Sequence, residues 1–303
     1  LHPVAHSFPT RRSSDLVKEE AAKLGVGVAG SEVVGLLPLE AVLQAAEYYI
    51  QQEGLFILDE DQKVRLVQER LGLNAVAPFK PEEKIIEYLV AEPATAPLAS
   101  MDLKYFIQEV AARSSAPGGG SVSAVLAALG AGLGAMAAKL TWGVRKFEHL
   151  DQDMRRIIPP LHEAAQALIP LIDADTNAFE DYMAALRLPK ETDAERQQRD
   201  QALQAGLKTA VNVPLETMRL GDQAWEALRE VARLGNIASK SDIQVGAKAL
   251  ETGIWGAFQN VRINLEQIKD PDFRTETLDQ AWAITRRAGD HCAAILEILE
   301  QRE

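Results

Sequence analysis

From residue 101 to residue 300 apolar side chains return every three or four positions, and nowhere in that stretch do they alternate with polar ones as a half-buried strand requires. A sequence with that period, sustained over so long a stretch, can bury its apolar face only by packing helix on helix. The expected class is therefore mainly α, an antiparallel helical bundle, with helices over 101–112, 121–140, 151–186, 193–234, 242–268 and 271–300. Stop and start signals support these bounds. Thr192 with Glu195 has the spacing of a capping box, Gly235 follows the fourth helix, and Asp270 precedes Pro271 as an N-cap before a first-turn proline. Pro159, Pro160, Pro170 and Pro214 are expected to kink or divide the long helices.

The stretch before residue 101 reads differently. Residues 26–29 and 32–36 look like short strands separated by Gly30 and Ser31, followed by helices over 38–50, 59–71 and 81–90. Two strands make no stable sheet alone, so residues 17–91 are expected to be the last part of a larger α/β domain. Residues 92–100, rich in Pro and Ala, read as a linker to a helical domain over 101–303. Residues 1–16 have no apolar period and resemble the translation of a sequencing-library adapter, so they are set apart as a sequencing-adapter or cloning scar.

Composition narrows the class of activity. The formal charge is −12 and the pI about 5.0, so no excess of cations is available to neutralise phosphates, and nucleic acid is not an expected partner. A single cysteine, Cys292, cannot build a multi-cysteine metal site, and the five histidines fall at no ligand spacing. These features point to a reduced, cytoplasmic, metal-free protein. Residues 122–138 carry no charge, yet Ala and Gly dominate them, which favours a tightly packed buried helix over a membrane span. Inside that helix Gly130, Gly132 and Gly134 each cost about 1 kcal/mol relative to Ala, a cost that suggests close approach by another helix or another subunit.

Four constellations could carry chemistry. Pro117, Gly118, Gly119, Gly120 and Ser121 precede a helix, where a flexible turn and an anion-binding helix start are both open readings. Asp173 and Asp175 lie in an apolar helical run, and their two-residue spacing projects them about 200° apart, so they cannot share one face. Arg145 and Lys146 follow the Gly/Ala helix, where they could complement its dipole or capture carboxylates. Lys240 and Asp242 enter a helix that then carries Gly256, Asn260 and Asn264 at four-residue intervals on one face. Asp242 could simply cap that helix.

Taken together, ARSSAPGGGSVSA, GAMAAKLTWGVRKFE, MRRIIPPLHEAAQALIPLIDADTNAF, LRLPKET and GNIASKSDIQVGAKALETGIWGAFQNVRINL resemble the cyclodeaminase half of the formiminotransferase-cyclodeaminase family, in order and along its length. GSEVVGLLPLEAVLQAAEYYI, LFILDEDQKVRLVQERLGL and PFKPEEKIIEYLV resemble the end of that family's formiminotransferase half. The resemblance implies an ammonia-lyase that closes 5-formiminotetrahydrofolate to 5,10-methenyltetrahydrofolate in histidine degradation and one-carbon metabolism. A tetrahydrofolate derivative would be its substrate, and a homodimer or higher homo-oligomer its assembly. The neighbouring activity in the same helical family is methenyltetrahydrofolate cyclohydrolase. Transferase activity is expected only of a full-length parent, because the family's transferase histidine belongs to an earlier subdomain. In the family pattern LxDADxxAF the second acid is catalytic, which implies that role for Asp175. Residues 117–121, Arg145, Lys146, Asp173, Lys240, Asp242 and Asn260 are the expected substrate-binding set.

Overall fold

The computed structural model describes residues 11–90 and 97–302, and the backbone alone over 11–15. The set-apart segment thus lies largely outside the described residues, although the chain is already helical from Arg11. The helices run in order α1 Arg11–Lys23, α2 Leu39–Glu53, α3 Glu60–Arg70, α4 Pro81–Lys84, α5 Ile86–Val90, α6 Leu103–Val110, α7 Gly119–Lys139, α8 Asp151–Leu186, α9 Asp193–Gln223, α10 Trp225–Leu234, α11 Lys240–Leu265 and α12 Pro271–Glu300. The chain divides into two compact units, Leu1–Ala94 and Thr95–Glu303.

In the first unit, Val42 and Ala46 of α2 pack on Val64 and Val67 of α3 and on Ile85. No strand forms among its described residues, contrary to the expectation for 26–29 and 32–36. An extended chain needs a ladder partner, and here it meets a helix end instead. Ser31 donates from both N–H and Oγ to the carbonyl of Leu71, and Gly30 lies so close to the Gly72 carbonyl that a Cβ would collide with it. The remaining pairing is a single parallel bridge, Leu37 with Ile85. That bridge also explains why the helix expected over 81–90 breaks in two: Ile85 takes extended angles (φ −92°, ψ 125°) and is fully buried.

The second unit is the helical bundle. At its centre α7 packs on α8 and α11, α8 and α11 both pack on α9, and α11 also packs on α12. Helix α7 is 21 residues long and apolar enough to cross a membrane by length and composition, and 56% of its apolar window is buried inside this unit. Its glycines serve that packing. A Cβ on Gly130 would meet Leu250 N at 2.6 Å and Gly246 O at 2.7 Å, so α11 passes backbone against backbone. A Cβ on Gly134 would meet Leu228 and Leu161 of the same chain, whereas Gly132 faces open space. Of the two readings open for these glycines, Gly130 and Gly134 fit close approach by another helix of the same chain.

Helix α8 continues through Pro159, Pro160 and Pro170, and α9 continues through Pro214. The break in the long fourth helix comes at Ala224 instead, where the chain redirects so that Trp225 is buried at 1% exposure. The capping box at Thr192 and Glu195 is present in full, and Asp270 Oδ1 accepts from Phe273 N–H at 3.1 Å. Residues 97–100, expected to be part of a linker, form a turn fastened to the bundle: Leu98 is buried and Asp173 holds its backbone.

Candidate active site

The acidic run of α8 divides its work by helical geometry. Asp173, 4% exposed, turns toward the 97–100 turn, where its two oxygens accept from Leu98 N–H at 2.8 Å and Ala99 N–H at 3.0 Å. Each oxygen is thus engaged by a backbone donor, and Asp173, expected in the substrate-binding set, faces this turn and does not line the cleft described below. Asp175 projects the other way, onto the first turn of α7. Its Oδ2 accepts from Ser121 N–H at 3.0 Å, and Ser121 Oγ lies 3.4 Å away, itself 3.3 Å from Thr176 Oγ1.

That contact has a sequence cause. Helix α7 starts with glycine at its N-cap, so no side chain of its own accepts from the first-turn N–H groups. The Asp175 carboxylate supplies the missing acceptor and lies against the positive end of the helix dipole. Gly120 is required for this: a Cβ there would overlap the carboxylate, whereas Cβ atoms on Gly118 and Gly119 would make only ordinary contacts. An anion held at this helix start is the protein's own aspartate, which takes the Ser121 N–H. Burial pushes the Asp175 carboxyl above its usual range, and the Ser121 N–H and hydroxyl partly offset that rise.

Beside Asp175 opens a cleft of about 310 Å³, floored by Ser115, Ala116, Gly118 and Gly119. Phe179 and Tyr182 of α8 line one side, and Asn260, Ile263, Asn264 and Gln267 another. Among the described lining residues Asp175 is the one carboxylate. Tyr182 donates to Gln267 Oε1 at 3.0 Å. Asn260 Nδ2 donates to Gly256 O at 2.9 Å and Asn264 Nδ2 to Ala210 O at 2.9 Å. Phe179, Tyr182, Asn264 and Gln267 were not singled out as site residues from sequence, although the four-residue spacing from Gly256 through Asn260 to Asn264 already placed the two amides on one face.

The expected cations lie elsewhere. Asn260 neighbours Gly119 while Gly246 neighbours Gly130, so α11 runs antiparallel to α7. Arg145 and Lys146 follow the C-terminus of α7 in a 3₁₀ turn, Arg145–Leu150, and Lys240 and Asp242 begin α11. With α7 21 residues long, they sit about 30 Å from the cleft in the same protomer. Within one protomer, Pro117, Ser121, Asp175 and Asn260 therefore lie at one end of the bundle and these four residues at the other. At the far end Lys240 Nζ donates to Arg302 O at 3.2 Å and Lys146 lies over the Phe147 ring at 5.3 Å. Pro117 is buried beneath the loop rather than lining the cleft. Among the described residues no cluster of three His, Cys, Asp or Glu could hold a metal.

Residues 102–283 match the family described as Formiminotransferase-cyclodeaminase, and residues 7–91 match the Formiminotransferase domain, starting inside the segment set apart as a scar. The chain is 51% identical over 287 residues to the formimidoyltransferase-cyclodeaminase of Dictyostelium discoideum, covering 94% of this chain and 52% of that protein. It thus spans about half the length of the curated relatives of that kind. The methenyltetrahydrofolate cyclohydrolase of Methylorubrum extorquens is 30% identical over 66% of this chain and 96% of its own length. The crystal structure of formiminotetrahydrofolate cyclodeaminase from Thermotoga maritima superposes with a TM-score of 0.60 at 29% identity, over 67% of this chain and 98% of that one.

Proposed function

The chain belongs to the formiminotransferase-cyclodeaminase family, and from that premise we propose that it converts 5-formiminotetrahydrofolate to 5,10-methenyltetrahydrofolate and ammonia, with Asp175 as the acid-base group. The observation that carries this reading is the half-buried Asp175 carboxylate, fixed by Ser121 at the edge of a cleft that it shares with two aromatic and three amide side chains. In the substrate, protonated at its formimino nitrogen, N10 attacks the formimino carbon and a tetrahedral centre forms. Asp175 takes the proton that N10 loses and passes it to the nitrogen that arrived as formimino. The carbon–nitrogen bond then breaks, ammonia leaves with the electron pair, and the cationic methenyl bridge remains beside the restored carboxylate. Proton transfer of this kind contributes about 10²- to 10⁴-fold, and a fixed anion beside the developing cation adds electrostatic stabilisation. No metal or redox cofactor takes part in this scheme.

The second reading is methenyltetrahydrofolate cyclohydrolase, favoured by the match to nearly the whole of the Methylorubrum protein. The match to a transferase domain over 7–91 favours the deaminase, because that partner activity supplies the formimino substrate. The assay that decides is methenyltetrahydrofolate absorbance with ammonia released from 5-formiminotetrahydrofolate, run beside methenyl hydrolysis. Hydrolysis without ammonia release would transfer the assignment to the cyclohydrolase.

We place a second copy of the chain on the apolar side chains that α7 and α11 leave exposed, Leu129, Met136, Val245 and Trp255. Light scattering tests this: a dimer or larger assembly is expected, and a monomer at assay concentration refutes it.

A further inference from the structure

Asn260 and Asn264 sit one helical turn apart on α11, and both line the cleft beside Asp175. An amide side chain presents either its NH₂ or its oxygen, and coordinates alone leave that orientation to the hydrogen bonds. Here the bonds fix it. The Gly256 and Ala210 carbonyls can only accept, so the groups facing them at 2.9 Å must be the Nδ2 amines. Each Oδ1 then points away from its anchoring carbonyl. Among the described residues the buried side-chain polar atoms without a partner are Trp225 Nε1 and Arg229 Nε, so the two amide oxygens, also unpartnered within the chain, remain reachable by solvent. Both asparagines line the same cleft as the Asp175 carboxylate, and each brings to it an amide whose oxygen is not taken by its anchor.

On the α11 side the free amide oxygens favour a ligand that brings donors. Carboxylates of a glutamate tail would meet oxygen against oxygen, whereas N–H groups would be held. Resting on the folate reading above, we infer that Asn260 and Asn264 are specificity-determining residues whose Oδ1 atoms accept from the N–H donors of the aminopyrimidine edge of the reduced pterin. The glutamate tail leaves the cleft on another side. The locked amine of each asparagine makes the choice rigid, since flipping either amide would set its oxygen against a backbone carbonyl.

The test measures equilibrium binding of tetrahydrofolate and of its 2-desamino-2-methyl analogue, which lacks the exocyclic donor, to the wild-type chain, Asn260→Ala and Asn264→Ala. The wild type should bind the analogue about 10-fold more weakly or worse, as sites built around a hydrogen bond reject ligands lacking it. At least one variant should lose most of that discrimination through weaker binding of tetrahydrofolate, with affinity for the analogue nearly unchanged. Equal affinity of the wild type for both ligands overturns the inference, and so does discrimination that survives in both variants. If neither variant folds, equal affinity of the wild type for the two ligands still overturns the inference. Binding of neither ligand by the wild type removes the folate reading itself, an outcome distinct from binding both equally.

Discussion

The two ends of the bundle are built by the same three helices, α7, α8 and α11, and they employ their polar groups in opposite ways. At the end where α7 finishes, Thr141 Oγ1 accepts from Asn236 N–H at 2.8 Å while donating to Ala137 O at 3.0 Å. The Arg302 guanidinium donates to Ala232 O and, at 2.7 Å, to Gly235 O, closing the carbonyl end of α10. Asp151 accepts from Gly143 N–H. Each of these groups satisfies a backbone group at a terminus. At the end where α7 starts, Asp173 does the same for the 97–100 turn, whereas Asp175, held by the Ser121 N–H and hydroxyl, and Asn260 and Asn264, each anchored to a backbone carbonyl, also line the cleft. Structural and chemical use of a polar group differ here in access to the cleft, more than in charge or residue type.

Several substitutions would break or sharpen this contrast. The largest effect is expected from Asp175→Asn, which should lower the rate of methenyl formation by about 10²- to 10⁴-fold while the melting profile stays close to wild type. Turnover near wild type would remove the acid-base assignment. Next comes Gly120→Ala, whose Cβ must displace the carboxylate. A loss of about 100-fold in kcat is expected, since misplacement of a reacting group by about 1 Å has that consequence, and unchanged kinetics would show that the contact is slack.

Asp173→Ala should divide the two aspartates cleanly. It leaves two buried or part-buried N–H groups, those of Leu98 and Ala99, without their acceptor, so unfolding in urea should report a loss of about 2–4 kcal/mol. The folded fraction should keep its kcat. A KM defect without destabilisation would instead place Asp173 in contact with substrate.

Smaller still is Ser121→Ala, read in the pH profile. Burial raises the Asp175 carboxyl and the Ser121 hydroxyl lowers it, so removing the hydroxyl raises it further. The reaction needs the ionised carboxylate, so the acid limb of kcat/KM should move to higher pH, with the plateau above it largely retained. A limb that moves down or stays fixed would show that the hydroxyl serves Thr176 rather than Asp175. The smallest change is expected from Arg145→Ala and Lys240→Ala, at about twofold or less in KM, because both sit at the far end. A tenfold rise in KM would mean that a second copy of the chain brings its far end to this cleft.

The sequence by itself determined the helical class, most of the helix bounds, the divergence of Asp173 from Asp175 and the shared face of Asn260 and Asn264. These follow from periodicity and from caps such as Thr192 with Glu195, all set within a turn or two of the chain. The tertiary structure decided what those residues face. The partner of Gly120 is a carboxylate 55 positions later in the chain, the donors to Asp173 are backbone N–H groups some 75 positions earlier, and Arg145 is carried away from Gly119 by the full length of α7. In the first unit, too, residues 26–36 have the composition of strands but found a helix end rather than a ladder. Local spacing fixes the direction of a side chain on its own helix. What lies in that direction depends on how long helices pack, and packing couples residues with no sequence relation to one another.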